Sequence, residues 1–256
     1  FAPSIVKAGA TFVDNSSAFR LDPKVPLVIP EINPEDVKKH HGIISNPNCT
    51  TIITMVAIAA LAKESPVETI VASSYQAASG AGKAGLDELR AEALAYAKDE
   101  TVEPKAFAYQ LAFNVIPQIG GEQYMGYTSE EMKMQNEGRK IMRRPELKVT
   151  CTCVRVPVLR SHSISVTLRT ARKISVDEAR AAIAEALGKC TSYISNMQRY
   201  DEKGEGKRPG YPRAGRIYPA LYRENTYVRM DDYTARIKVF IRNTWDWLTV
   251  DLRKSD

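Results

Sequence analysis

The sequence predicts a chain in two parts, α/β at its start and α+β over the rest. Strand-like and helix-like runs alternate tightly up to Cys49, which argues for a parallel sheet with ligand loops at the strand C-termini. Beyond Cys49, β-branched strands and separate helices come in longer blocks, which argues for a mixed, largely antiparallel sheet. Two capping boxes and a glycine-serine loop punctuate that second part.

In order, Pro3 to Ala8 reads as a short helix stopped by Gly9, and Ala10 to Val13 as a strand. The polar run Asp14-Asn15-Ser16-Ser17-Ala18-Phe19-Arg20 forms a loop at that strand's C-terminal end. Leu27-Val28-Ile29-Pro30 reads as a second strand. Asn33-Pro34-Glu35-Asp36 offers a cap, a proline at the first position and acids in the first turn, so a helix capped by Asn33 is expected. Gly42 to Ser45 is a third strand, running straight into Asn46-Pro47-Asn48-Cys49-Thr50-Thr51. Asn48 is a fitting N-cap, and Cys49 opens a helix through Ile52 to Ala62, ended by Lys63-Glu64-Ser65-Pro66.

The second part starts with a β-branched strand, Glu68 to Tyr75, and the loop Gln76-Ala77-Ala78-Ser79-Gly80-Ala81-Gly82. A helix is expected from Lys83 to Lys98, then mixed strand and loop from Ala106 to Ile116. Thr128 and Glu131 form a capping box that opens a helix to about Met142. Leu147 to Val156 and His162 to Thr170 alternate in period two and are expected to pair across Pro157 to Ser161. Ser175 and Glu178 cap a further helix that closes at Gly188. Arg199 to Arg216 is a long surface loop rich in glycine, proline and charge. Strand-like runs follow at Thr226–Met230, Ala235–Ile241 and Trp245–Val250.

Composition narrows the function classes. A chain of 256 residues can bury a sizeable core, and no window of 18 uncharged apolar residues exists for a membrane span. The net charge is +6, but 36 basic residues lie dispersed among 30 acids with no aromatic-interleaved stripe, which argues against nucleic acid. A small positive excess suits small anionic substrates. The four cysteines, Cys49, Cys151, Cys153 and Cys190, have no metal-ligand spacing, so no metal site is expected and a reducing, cytoplasmic setting is.

The candidate chemistry gathers around Cys49. At the mouth of a helix, unpaired N–H groups and the dipole favour a thiolate, a ready nucleophile; a small buried residue opening a core helix is the plainer alternative. His40 and His41 end a short helix and read as solvated. His162, in Arg160-Ser161-His162-Ser163, is the candidate base if the chain uses a Cys/His pair, or else a strand-edge histidine. Arg155 shares one strand face with Cys151 and Cys153, where a guanidinium wants a carboxylate from the protein or a substrate. Arg20 ends a loop from which it could reach a phosphate. Glu130 and Lys133 stand at i,i+3, together in one site or as an ordinary surface pair.

These residues resemble the aspartate-semialdehyde dehydrogenases. The match runs through Asn46-Pro47-Asn48-Cys49-Thr50-Thr51, Tyr75-Gln76-Ala77-Ala78-Ser79-Gly80-Ala81-Gly82, Phe113-Asn114-Val115-Ile116-Pro117 and Glu130-Glu131-Met132-Lys133-Met134. It extends to Asp14 through Arg20 and to Arg155 through Ser163, all in the family's order. The resemblance implies the end of a Rossmann-type NADP-binding domain at residues 1–48 and a catalytic and dimerisation domain at 49–250, with a mixed, largely antiparallel sheet. Residues 251–256 would start the return to the nucleotide domain. It further implies a reversible, NADP-dependent reductive dephosphorylation of L-4-aspartyl phosphate to aspartate semialdehyde through a cysteine thioester. Cys49 resembles the nucleophile, His162 the acid/base group and Gln76 the substrate-orienting glutamine. Arg155 and Glu130 resemble the holders of the substrate's carboxylate and amine, and Lys133 and Arg20 the phosphate pair. Asn48 belongs to the same substrate-facing motif. Ser79, Gly80 and Gly82 would lie along the nicotinamide. Asp251 stands where the family has a cofactor-proximal asparagine. A homodimer or homotetramer is implied, with no nucleic acid or membrane partner.

The family's opening strand, glycine-rich turn and helix, which hold the NADP phosphates, are expected to lie ahead of Phe1. This sequence is therefore expected to be part of a longer enzyme, and alone to bind NADP weakly at best. An N-acetylglutamyl-phosphate reductase-like enzyme is the nearest alternative. A non-catalytic dimer partner without a working cofactor site is another.

Overall fold

The computed structural model describes residues 1–186 and the backbones of three strands beyond them, at 228–231, 234–241 and 248–250. Helix α1 (Ala2–Lys7) leads into strand β1 (Phe12–Asp14), which pairs in parallel with β2 (Ile43–Ser45). The rest builds on one sheet. Strand β3 (Val67–Gln76) lies between β6 (Lys148–Arg155), parallel to it, and β7 (Ser163–Thr170), antiparallel. Strands β8 (Val228–Asp231), β9 (Thr234–Ile241) and β10 (Leu248–Val250) extend the β7 side with antiparallel pairings. The sheet is thus mixed and largely antiparallel, as expected.

Helix α2 (Cys49–Ala62) is apolar nearly all round and correspondingly buried, packed against the sheet and against helix α4 (Ser129–Met142), which itself packs on β6. Met55, Ile58 and Leu61 meet Ile70, Ile164 and Leu168 of the sheet, and Met134 and Ile141 of α4, in one core. Each such side chain contributes about 1.5–3 kcal/mol. Gly138 permits the close approach of α4 to α2, since a Cβ there would stand 2.4 Å from the Met55 Cε. The capping box of α4 forms as predicted: the Thr128 hydroxyl accepts from the Glu131 N–H and the Glu131 carboxylate accepts from the Thr128 N–H. The Ser175/Glu178 box opens a helix over 176–186 in the same way.

Four expectations are corrected. Strands β6 and β7 do not pair with each other; β3 lies between them. Period-two alternation identifies strands but not partners. The connection crosses the end of β3, with Val156 donating to the Gln76 carbonyl, and Ala78 and Ser79 donating to the carbonyls of Val158 and Leu159. Leu27 to Pro30 forms one bridge, Leu27 to Ser45, rather than a strand. Asn33 does not cap a helix: Pro34–Lys39 is a 3-10 helix, and the Asn33 side chain instead accepts from the Ile29 N–H and donates to the Leu27 carbonyl. Residues 106–116 hold no strand. Glu88 and Glu92 of helix α3 (Gly82–Tyr96) accept N–H groups from 105–107 and 111–112, and one bridge joins Ile116 to Arg155. The expected helix end at Gly188, the loop Arg199 to Arg216 and Asp251 lie outside the described residues. Among the described residues no helix is long and apolar enough to cross a membrane, and none gathers into a metal-binding group.

Candidate active site

A cavity of about 470 Å³ opens where the start of α2, the end of β3, the first turns of α4 and the end of β6 converge. Its walls include Cys49, Asn48, Gln76, Ser79, Gly80, Glu130, Lys133, Arg155, His162 and Arg20, so the structure brings together ten of the twelve predicted site residues. Gly82 does not line it: it begins α3 in a left-handed conformation, φ +71°. Asp251, the other, lies outside the described residues.

Asn48 caps α2 as predicted, its Oδ1 accepting from the Thr50 and Thr51 N–H groups at 3.0 and 3.3 Å. That leaves Cys49 partly exposed at the helix mouth, where the dipole favours an anion. The Asn48 Nδ2 donates to Glu130 Oε1 at 2.9 Å, and Gln76 Nε2 donates to the same oxygen at 3.2 Å. Lys133 Nζ donates to Glu130 Oε2 at 2.8 Å. Burial alone would raise the Glu130 carboxyl, but Lys133 and the two amides hold it below the usual carboxylate value. The Glu130/Lys133 pair is therefore part of the cavity, not an ordinary surface pair.

Arg155 ends β6 on the buried face it shares with Cys151 and Cys153. Its Nη1 donates to the Ala77 carbonyl at 2.8 Å, and its guanidinium lies 5.6 Å from the centre of the Phe107 ring. Burial lowers its pKa, and the charges of Glu130 and Cys49 oppose that shift. No carboxylate forms an ion pair with it among the described residues.

His162 follows Ser161, whose φ of +77° is rare outside glycine and turns the chain into the cavity. The His162 Nδ1 accepts from the Ala77 N–H at 3.0 Å, so the neutral ring carries its proton on Nε2. Burial, then the charge of Arg155, push its pKa down to about 4. Gly80 closes the space beside it: a Cβ there would stand 2.7 Å from the Arg155 Nη1 and 3.1 Å from the His162 Cε1. Gly85 completes a G-x-G-x-x-G spacing with Gly80 and Gly82 between β3 and α3. Here the third glycine serves packing, against Ala78 and Phe107.

Arg20 is buried and already engaged, donating to the Asn46 and Asn15 carbonyls at 2.9 Å each and to Glu137 Oε1 at 3.1 Å. Glu137 was not foreseen. Its spacing on α4, seven from Glu130 and four from Lys133, puts it on the same helix face and could have revealed it. Cys151 and Cys153, 3.7 Å apart at sulfur, lie buried outside the cavity walls.

Comparison with known proteins matches the semialdehyde dehydrogenase dimerisation domain over residues 58–209 and the semialdehyde dehydrogenase NAD binding domain over residues 1–40. The chain is similar to an aspartate-semialdehyde dehydrogenase of Synechocystis sp., 47% identical over 188 residues that cover 73% of this chain and 56% of the relative. It is 40% identical to that of Bacillus subtilis over 234 residues, 88% of this chain and 68% of the relative. The solved structure of aspartate semialdehyde dehydrogenase II complexed with ASA from Vibrio cholerae superposes with a TM-score of 0.77 at 33% identity, covering 93% of this chain and 69% of that one. The chain thus spans little more than half the length of several curated relatives it matches.

Proposed function

Since the chain belongs to the semialdehyde dehydrogenase family, we propose that it carries the catalytic machinery of an aspartate-semialdehyde dehydrogenase. The reaction is the reversible reductive dephosphorylation of L-4-aspartyl phosphate to aspartate 4-semialdehyde, a step of amino-acid biosynthesis. One observation carries this reading: a single cavity sets a helix-mouth thiol among three cations and one carboxylate. The proposed substrate carries two anionic groups and one ammonium, which is the complementary pattern.

The Cys49 sulfur attacks the acyl carbon, the bond from that carbon to the phosphate oxygen breaks, and inorganic phosphate leaves with the electron pair. A thioester remains on Cys49. NADPH, when bound, supplies the hydride that takes this carbonyl to the aldehyde level. The carbon–sulfur bond then breaks and returns the sulfur as an anion. His162 faces the substrate oxygen with its Nε2 proton, as hydrogen-bond donor and acid/base group. Gln76 orients the substrate beside the sulfur. Arg155 takes the α-carboxylate and Glu130 the ammonium, with Asn48 holding the Glu130 carboxylate in place. Lys133 and Arg20 take the phosphate.

Gly80, whose missing Cβ lets the Arg155 guanidinium and the His162 ring close against the loop, borders the cavity where the nicotinamide end of the cofactor would lie. Ser79 and Gly80 are the residues that would hold it, with Gly82 shaping the loop and Asp251 proposed as a further contact. Residues 1–48 are the close of the nucleotide-binding domain, 49–250 the catalytic and dimerisation domain, and 251–256 the return. The assembly is a homodimer, in the cytoplasm.

The test is turnover of NADPH by the intact native polypeptide with aspartyl phosphate and with N-acetylglutamyl phosphate. A site built around Glu130 should favour the free amine by about a hundredfold or more. Equal rates would assign the related reductase instead. Failure to bind NADPH would favour a non-catalytic partner.

A further inference from the structure

Glu137 has no part in the chemistry above, yet it is 2% exposed and holds two partners from distant stretches of chain. Its Oε1 accepts from Arg20 Nη1 at 3.1 Å, and its Oε2 accepts from the Asn48 N–H at 2.7 Å. Arg20 in turn donates to the Asn46 carbonyl. The loop after β1, the turn from β2 into α2, and helix α4 thus close into a ring of hydrogen bonds. Lys140, on the next turn of α4, donates to the carbonyls of Arg20, Asp22 and Val25 at 2.8, 2.7 and 2.8 Å, tying the same loop to the same helix.

We propose that Glu137 is a positioning residue that locks the Arg20 guanidinium and the opening of α2 into one unit. It thereby fixes the distance between the phosphate-binding cation and the Cys49 sulfur. Three of the five Arg20 N–H groups are spent on Glu137 and the two carbonyls, which leaves one on each terminal nitrogen for an anion. The carboxylate also offsets the charge of Arg20, so phosphate is held by directed bonds more than by net charge. This rests on the reading of Arg20 as a phosphate-binding group.

Two variants of the intact polypeptide separate the two bonds. Glu137→Gln keeps an oxygen for the Asn48 N–H but turns an N–H group toward Arg20; Glu137→Ala removes both. In the oxidative direction, Glu137→Gln should raise the KM for inorganic phosphate about tenfold, the cost of one charge-assisted hydrogen bond, and leave the KM for semialdehyde within about twofold. Amide exchange at Asn48 should stay slow in Glu137→Gln and speed up about tenfold or more in Glu137→Ala, with the exchange of β3 unchanged. In an Arg20→Ala background, Glu137→Gln should add nothing to the phosphate defect. An unchanged phosphate KM in Glu137→Gln, or effects that add in the double variant, would overturn the proposal. Should Glu137→Gln fail to fold, Arg20→Lys, which keeps the charge and loses the directed bonds, must show the same selective phosphate defect, or the proposal fails. If the native protein does not turn over the semialdehyde, the functional reading fails, while exchange at Asn48 still decides whether Glu137 pins the turn.

Discussion

Glu130 and Glu137 stand two turns apart on one face of α4, both buried, yet their carboxyls move to opposite sides of the ordinary value. Burial is the largest influence on each, and it raises both. At Glu130 it is overcome by the Lys133 ammonium at 2.8 Å and by the amides of Asn48 and Gln76, and the pKa ends low. At Glu137 the Asn48 N–H and Arg20 do not overcome it, and the pKa ends high. The donors explain the difference. Three side chains converge on Glu130, whereas Arg20 divides its guanidinium between Glu137 and two backbone carbonyls. Glu130 is held charged at the cavity wall, and Glu137 holds protein parts together.

Cys49 is the proposed nucleophile, so its removal sets the largest effect. Cys49→Ser should abolish turnover and alkylation at that site while leaving the melting temperature within a few degrees. Near wild-type activity in the serine variant would remove the premise of the comparison. Next in size, Glu130→Gln keeps the shape and loses the charge. It should lower kcat/KM for the semialdehyde by about a hundredfold, through loss of a charged hydrogen bond, and spare the phosphate KM. A defect falling on phosphate instead would mean that Glu130 does not face the amine end of the substrate.

Lys133→Ala sharpens the same contrast with a smaller effect. It should raise the phosphate KM about tenfold. It also strips Glu130 of the cation that holds its pKa down, so the acid limb of the semialdehyde kcat/KM profile should move to higher pH. An unmoved limb would show that Asn48 and Gln76 suffice.

What could be read from the sequence follows the range of the interaction. The Thr128 and Ser175 boxes and the Asn48 cap are bonds across two or three residues, and all three form as expected. Asn33 carries the same cap signal but is captured by the 27–29 backbone, a contact that local rules do not weigh. Strand β6 shows its period but not its partner, because the paired residues of β3 lie 79 positions earlier. The cavity residues were legible because the motifs that carry them are contiguous. Glu137 shares the helix face of Glu130 and Lys133 by spacing, but what it does there stays hidden until Arg20, 117 positions away, arrives beside it.

His162 extends the comparison to a buried base, where the expected effect is on stability and is the smallest. A carboxyl resists losing its proton when buried; an imidazole resists gaining one. Its pKa falls from 6.5 to about 4, because of burial and then Arg155. The unfolded chain therefore binds a proton at a higher pH than the folded one does, and acid favours unfolding. The contribution is intact above about pH 6.5 and shrinks as the pH drops toward 4, by up to roughly 3 kcal/mol if the whole shift is realised. Denaturant melts of the native protein and His162→Gln across that window should diverge, with the glutamine variant losing less stability toward acid. Parallel curves would mean that the imidazole is solvated when folded, and the Ala77 N–H would no longer fix its proton on Nε2.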